Sequence, residues 1–253
     1  MAQKEDYIAV FDSGVGGISV LRELMKLMPG ENYLYFGDSA NAPYGDKSAE
    51  QVRALTLQNA QMLFRRKAKA LVVACNTATS VAIDSLRETF PDKIILGIEP
   101  ALKPAISQFP TGVVGIMATA VTLREEKLQR LISQFDSATV ERIAAPGLVE
   151  LIEAGKADAQ ETEDLLQSVL APYVGKLDGL VLGCTHYPFV KDTVSRILGP
   201  STILFDGSEG TARQTLRCLE NAGLLHNGEG SVTMENSLGT PALMALSYRL
   251  LEK

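Results

Sequence analysis

The sequence predicts an α/β fold of two similar lobes, each a mostly parallel sheet flanked by helices, with ligands bound beyond the C-terminal ends of the strands. Two observations predict it. Short β-branched runs alternate with amphipathic stretches from end to end, and one strand-and-loop pattern recurs in the two halves of the chain. The 253 residues, 46% of them hydrophobic, suffice for one large α/β domain or two smaller ones and exclude a disordered chain.

The first strand candidate, 7–11, runs into a glycine-rich turn and a helix. The second, 33–36, opens onto a long polar loop over 37–46. Ser48 with Gln51 three residues later reads as a capping box, opening a helix over 49–67 rich in Ala, Leu, Gln and Arg. Strands at 70–74 and 94–96 complete a first set, and 112–117, 139–143, 179–182 and 202–205 form a second. Residues 70–77 (ALVVACNT) echo 179–186 (GLVLGCTH), and Ser13 and Thr119 each close a strand before a helix. The echo suggests a duplication with a crossover near residues 97–100. The first lobe is expected to take 1–97 plus 203–253, and the second 98–202.

Charged residues make up 21% of the chain and balance to −6, with no run of five like charges, so no basic track invites nucleic acid. No apolar run approaches the roughly 18 residues that span a bilayer. The charged Lys4, Glu5 and Asp6 precede the first strand where a signal peptide would carry an apolar stretch. The expectation is a cytoplasmic protein without a membrane partner. Three cysteines, without a C-x-x-C pair, are expected to stay thiols that serve packing, metal binding or chemistry.

Cys75 and Cys184 each follow a buried-type strand and precede polar, turn-forming residues, where an open α/β sheet exposes its functional side chains. The amides and dipole of a following helix favour a thiolate there. One such cysteine is ordinarily a small buried hydrophobe, but two in matched contexts point to chemistry. Cys218, inside a predicted helix, keeps the packing reading. Zinc held by Cys75, Cys184 and His186 lacks the paired, closely spaced ligands of structural sites in a chain with two histidines, so no metal is expected. Residues 11–19 (FDSGVGGIS) invite a nucleotide reading, yet Ser19 stands where the fingerprint needs its third glycine, and Asp12 would repel a pyrophosphate. An acidic side chain beside amides and Ser13 suits a zwitterion better. In the 37–46 loop, Asp38 and Tyr44 could bind a ligand, or serve simply as a cap and a partly buried aromatic.

Four segments, 12–17 (DSGVGG), 35–45 (YFGDSANAPYG), 74–79 (ACNTAT) and 183–188 (GCTHYP), resemble the motifs of the glutamate racemase family, in that family's order. The similarity extends from about residue 8 to 217 and includes 97–100 (GIEP) and 148–155 (LVELIEAG). The resemblance implies a cofactor-independent, metal-free racemase that interconverts L- and D-glutamate with two bases, its active site in the cleft between the two lobes. Inverting a stereocentre through a planar carbanion needs a base on one face and an acid on the other. By similarity, Cys75 removes the proton from the D enantiomer and Cys184 from the L enantiomer. The same resemblance gives Asp12 to the Cys75 side and the substrate ammonium, Glu153 and His186 to the Cys184 side, and Asp38 as a further acidic residue. It implies head-group contacts from Ser13, Asn76, Thr77, Thr119, Thr185 and His186, and a side-chain carboxylate near Pro43, Tyr44 and Gly45. It also implies a cytoplasmic homodimer supplying D-glutamate for peptidoglycan. The competing expectations are an aspartate or related racemase of the same superfamily, and a non-catalytic two-lobed binding protein for a small anion.

Overall fold

The computed structural model describes residues 2–135 and 138–253. The chain begins with β1 (Ile8–Asp12), α1 (Ile18–Leu27), β2 (Asn32–Gly37), α2 (Ala49–Arg65), β3 (Ala70–Val73), α3 (Asn76–Thr89) and β4 (Ile94–Gly97). It continues through α4 (Leu102–Gln108), β5 (Val113–Ala118), α5 (Ala120–Arg124), α6 (Glu126–Ile132), β6 (Thr139–Ala144), α7 (Leu148–Glu153), α8 (Gln160–Leu170), β7 (Gly179–Leu182), α9 (Lys191–Leu198) and β8 (Ile203–Asp206). It closes with α10 (Ser208–Asn221), β9 (Ser231–Asn236) and α11 (Pro241–Glu252). These elements form two compact units, one running up to Glu99 and resuming at Ser208–Lys253, the other Pro100–Gly207.

The first unit holds a sheet of order β4-β3-β1-β2-β9, every pair parallel. β1 and β3 are buried along their whole lengths, because helices must cover both faces of a parallel sheet, and that is why they read as apolar runs up to Asp12 at the end of β1. Helix α2 starts on the expected capping box: Gln51 N–H donates to Ser48 Oγ, and Ser48 N–H donates to Gln51 Oε1. It stops at Arg65, short of the expected 67, because Lys67 adopts a left-handed backbone with φ 66°. β9 lies outside the predicted strands. It pairs with β2 at the sheet edge, buries only Met234 fully, and is tied to the end of α2 by a two-pronged Arg66–Glu235 pair at 2.6 and 2.7 Å.

At the start of β2 and β3, opposite the loops that carry Asp12 and Cys75, a fully buried ion pair gathers four chain segments. Lys69 Nζ donates to Glu31 Oε2 at 2.5 Å and to the carbonyls of Lys4 and Leu224, while His226 N–H donates to Glu31 Oε1. Such a pair is tolerable in the interior only because its remaining hydrogen-bonding capacity is met.

The second unit holds a parallel sheet of order β6-β5-β7-β8. Its core packs Leu102, Ala105 and Ile106 of α4 against Val114 and Ile116 of β5 and Val181 of β7. In both units the second strand flanks the first on one side, the third flanks it on the other, and the fourth lies outside the third. The two lobes are therefore similar in topology, and the fold class is the α/β architecture that the alternating runs predicted. Among the described residues no helix is long and apolar enough to cross a membrane.

Candidate active site

The first unit carries Asp12, Ser13, Asp38, Pro43, Tyr44, Gly45, Cys75, Asn76 and Thr77; the second carries Thr119, Glu153, Cys184, Thr185 and His186. In the first unit these side chains collect beyond the C-terminal ends of β1, β2 and β3, where successive loops diverge from a parallel sheet. Asp12, the last residue of β1, is fully buried, and its Oδ1 accepts the Gly14 N–H at 2.8 Å. The glycines of this turn serve close packing. A β-carbon on Gly17 would lie 2.7 Å from Asp12 Cβ and 2.8 Å from Ala74 Cβ, and one on Gly37 would lie 2.3 Å from the Gly14 carbonyl oxygen.

Cys75 is the N-cap of α3. Its sulfur accepts the Ala78 N–H at 3.4 Å and lies 3.4 Å from Ser13 Oγ. The thiol thus sits on the positive end of a helix of fourteen residues, a setting that stabilises negative charge on sulfur. Asn76 and Thr77 follow it in the first turn, both buried. Among the described residues Asn76 Oδ1 is a buried acceptor without a hydrogen-bond donor, which an ammonium group would supply.

Asp38, buried after β2, heads the short 3₁₀ turn Ser39–Asn41 without using its side chain as a cap. Its carboxyl group instead accepts hydrogen bonds from Tyr44 Oη at 2.7 Å, Asn59 Nδ2 at 3.0 Å and Asn41 Nδ2 at 3.0 and 3.1 Å. Pro43, after a cis peptide bond, and Gly45 flank Tyr44, whose ring is buried. Burial raises the Tyr44 phenol far above its usual range; the Asp38 carboxylate and the charge on Cys75 add to this, so the group is a fixed donor.

The second unit differs in its chemistry. Cys184 follows the fully buried β7, but the next element is a 3₁₀ turn, Tyr187–Val190, with Pro188 in it, and α9 begins only at Lys191. The regular helix expected directly after Cys184 is absent, because Pro188 favours a tight first turn over a long ladder. A buried imidazole stands in its place. His186 Nδ1 lies 3.7 Å from Cys184 Sγ, and Nε2 lies 2.6 Å from Oε1 of Glu153, the last residue of α7. Burial pulls the His186 pKa down, yet its hydrogen bonds to Cys184 and Glu153 and the charges on both outweigh burial and hold it well above the ordinary histidine value. Tyr187 is raised by burial and by the charges of Cys184 and Glu150. Thr185 is buried beside this group, and Thr119 caps α5 through Thr122 N–H.

Asn59 and Asn41 were not among the residues singled out from sequence. Asn59 did carry a signal: it lies on the face of α2 that buries Val52, Thr56 and Leu63, where a carboxamide is out of place unless it has a polar partner. Among the described residues no group of three or more His, Cys, Asp or Glu side chains is arranged to hold a metal ion.

The family model for Asp/Glu/hydantoin racemases matches residues 17–215. A glutamate racemase of Clostridium perfringens is 45% identical over 249 residues, covering 97% of this chain and 96% of its own. Among solved structures, the Escherichia coli glutamate racemase in complex with L-glutamate and the activator UDP-MurNAc-ala superposes with a TM-score of 0.87 at 31% identity, covering 97% of this chain and 95% of that one. The Francisella tularensis glutamate racemase in complex with D-glutamate gives 0.86 at 26% identity, covering 99% and 95%.

Proposed function

This chain belongs to the Asp/Glu/hydantoin racemase family, and from that premise we propose that it interconverts L- and D-glutamate by a cofactor-independent two-base proton transfer at the α-carbon. The observation that carries the mechanism is the recurrence of a thiol in the same place in two sheets whose first four strands share one arrangement: Cys75 after β3 and Cys184 after β7, each with its own polar partners.

Cys75 as thiolate takes the α-proton of D-glutamate, and the Cys184 thiol delivers its own proton to the opposite face. In the other direction the two exchange roles. Each turnover leaves one sulfur with a proton gained and the other with a proton lost, with no change of oxidation state. The α3 N-terminus and the Ala78 N–H favour the thiolate of Cys75. The His186 ring, held by Glu153, stands 3.7 Å from the Cys184 sulfur and serves that side of the reaction. Asp12 assists on the Cys75 side. The α-proton of an amino-acid carboxylate is a very weak acid, so the carbanion needs donors aimed at its developing charge and exclusion of water. Ser13, Thr77, Thr119 and Thr185 supply neutral donors to the α-carboxylate, Asn76 Oδ1 receives the ammonium group, and the Pro43–Tyr44–Gly45 segment receives the side-chain carboxylate. Glutamate rather than aspartate is supported by relatives of near-complete coverage that are glutamate racemases. A cytoplasmic homodimer supplying D-glutamate for peptidoglycan follows from the motif resemblance.

The test is proton NMR in heavy water with L-glutamate and with L-aspartate. The wild-type protein is expected to place deuterium at the α-carbon of glutamate as the sample racemises, and Cys75→Ala and Cys184→Ala are each expected to stop racemisation while keeping the wild-type circular dichroism. Full turnover by either variant would refute the two-base assignment, and preference for aspartate would refute the substrate.

A further inference from the structure

The Asp38 carboxyl group is buried and surrounded by neutral donors. Two of them, Asn41 and Tyr44, belong to the same loop as Asp38. The third does not: Asn59 reaches in from the middle of α2, a seventeen-residue helix packed on α3. Its Nδ2 lies 3.0 Å from Asp38 Oδ2 and 3.4 Å from Tyr44 Oη, and Tyr44 in turn donates to that same Asp38 oxygen at 2.7 Å. Three side chains therefore converge on one oxygen atom, and the only one mounted on a regular helix is Asn59. The loop also contains two short 3₁₀ turns, Ser39–Asn41 and Tyr44–Asp46, neither with a side-chain cap, and its first part is tied to the end of β9, where Ser39 Oγ accepts from Asn236 Nδ2 and Ala40 N–H donates to Ser237 Oγ; over Pro43–Gly45 the anchor to a regular element is Asn59.

We propose that Asn59 is a positioning residue for the substrate's side-chain carboxylate: by anchoring Asp38 and the Tyr44 hydroxyl to α2, it fixes the Pro43–Gly45 backbone that receives that group. The proposal rests on the glutamate reading given above. Asn59 reaches the substrate only through Tyr44 and Asp38, so it acts on binding and leaves the proton transfers at Cys75 and Cys184 alone. The Tyr44 hydroxyl already gives its one proton to Asp38 while accepting from Asn59, so it has no second donor to replace the one lost.

Asn59→Leu keeps the branched shape, at a larger volume, and removes the donor. Its KM for both enantiomers of glutamate is expected to rise about tenfold, equivalent to about 1.4 kcal/mol of binding, with kcat within about threefold of wild type. In a Tyr44→Phe background the same substitution is expected to add less than about threefold to KM, because the two changes break one network. A wild-type KM in a folded Asn59→Leu protein, a loss confined to kcat, or full additivity with Tyr44→Phe would each overturn the positioning role. Asn59→Ser, which leaves room for a water, replaces the leucine variant if thermal melts show that it does not fold, with the same expectations. The wild-type protein is assayed alongside: if it fails to racemise glutamate, the glutamate reading itself falls, whereas altered behaviour of the variants against an active wild type bears on Asn59 alone.

Discussion

Gly17→Ala tests whether the glycine-rich turn exists for packing beside the Cys75 cluster. Gly17 has φ −63° and ψ −8°, which alanine adopts freely, so backbone strain is not at issue. The new methyl group would stand 2.7 Å from Asp12 Cβ and 2.8 Å from Ala74 Cβ. Both of these atoms are fixed to the ends of buried strands, so each must retreat by about 0.6–0.7 Å to reach ordinary contact in an interior packed like a crystal. Overpacking of this kind costs about 1–3 kcal/mol, and the stiffer unfolded chain returns about 0.4–1 kcal/mol. The net loss of roughly 1–2 kcal/mol should lower Tm by roughly 2–8 °C for a chain of this size. Activity should suffer more than stability, because Asp12 and Ala74 adjoin Ser13 and Cys75, and a displacement near 1 Å in a reacting group costs on the order of a hundredfold. Thermal melts with deuterium exchange at the α-carbon of glutamate read both effects. A Gly17→Ala protein that melts and turns over like wild type would refute the packing argument.

The remaining predictions concern two ion pairs, His186–Glu153 and Lys69–Glu31. Because the folded pKa of His186 is raised, the stability its pairing contributes is complete below the unfolded value of about 6.5 and is lost as pH rises through the folded value. Glu153→Gln removes one partner, so the His186 titration followed by NMR should move down and the upper edge of that stability window with it; an unmoved midpoint would show that Glu153 is not what holds the proton. Lys69→Met strands Glu31 in the interior and should cost about 3–5 kcal/mol in urea denaturation, with a large part recovered in Lys69→Met/Glu31→Leu. A double variant no better than the single would mean that the carbonyl and amide contacts of the pair matter more than its charges.

What could be read from the residues depended on how far each feature is local. β1, β3 and β7 announce themselves because a strand covered on both faces must be apolar throughout. β9 does not: Ser-Val-Thr-Met-Glu-Asn lies at an edge, leaves every residue but Met234 at least partly exposed and carries no apolar run. The Ser48 capping box and the Cys75 cap are written within four residues. The Glu153–His186 bond joins positions 33 apart, and only the motif resemblance had set those two residues on the same side of the reaction. The Asn59–Asp38 bond spans 21 positions and was not anticipated, although a polar side chain on the buried face of α2 was the local trace of it. Pro188 is a local trace of the tight turn that separates Cys184 from a regular helix, yet a helix was expected there, because proline is equally at home in a helix's first turn.

The two thiols occupy matched strands yet have unmatched helpers. β1 ends in Asp12 where its counterpart β5 ends in Ala118, and the imidazole beside Cys184 has no analogue beside Cys75, where Asn76 and Thr77 follow. Mirror-image substrates have identical free energies in water, so the overall equilibrium constant is one and kcat/KM must be equal in the two directions, however lopsided the protein. The asymmetry can therefore surface only as a compensated pair: the enantiomer held more tightly is also the one converted more slowly once bound.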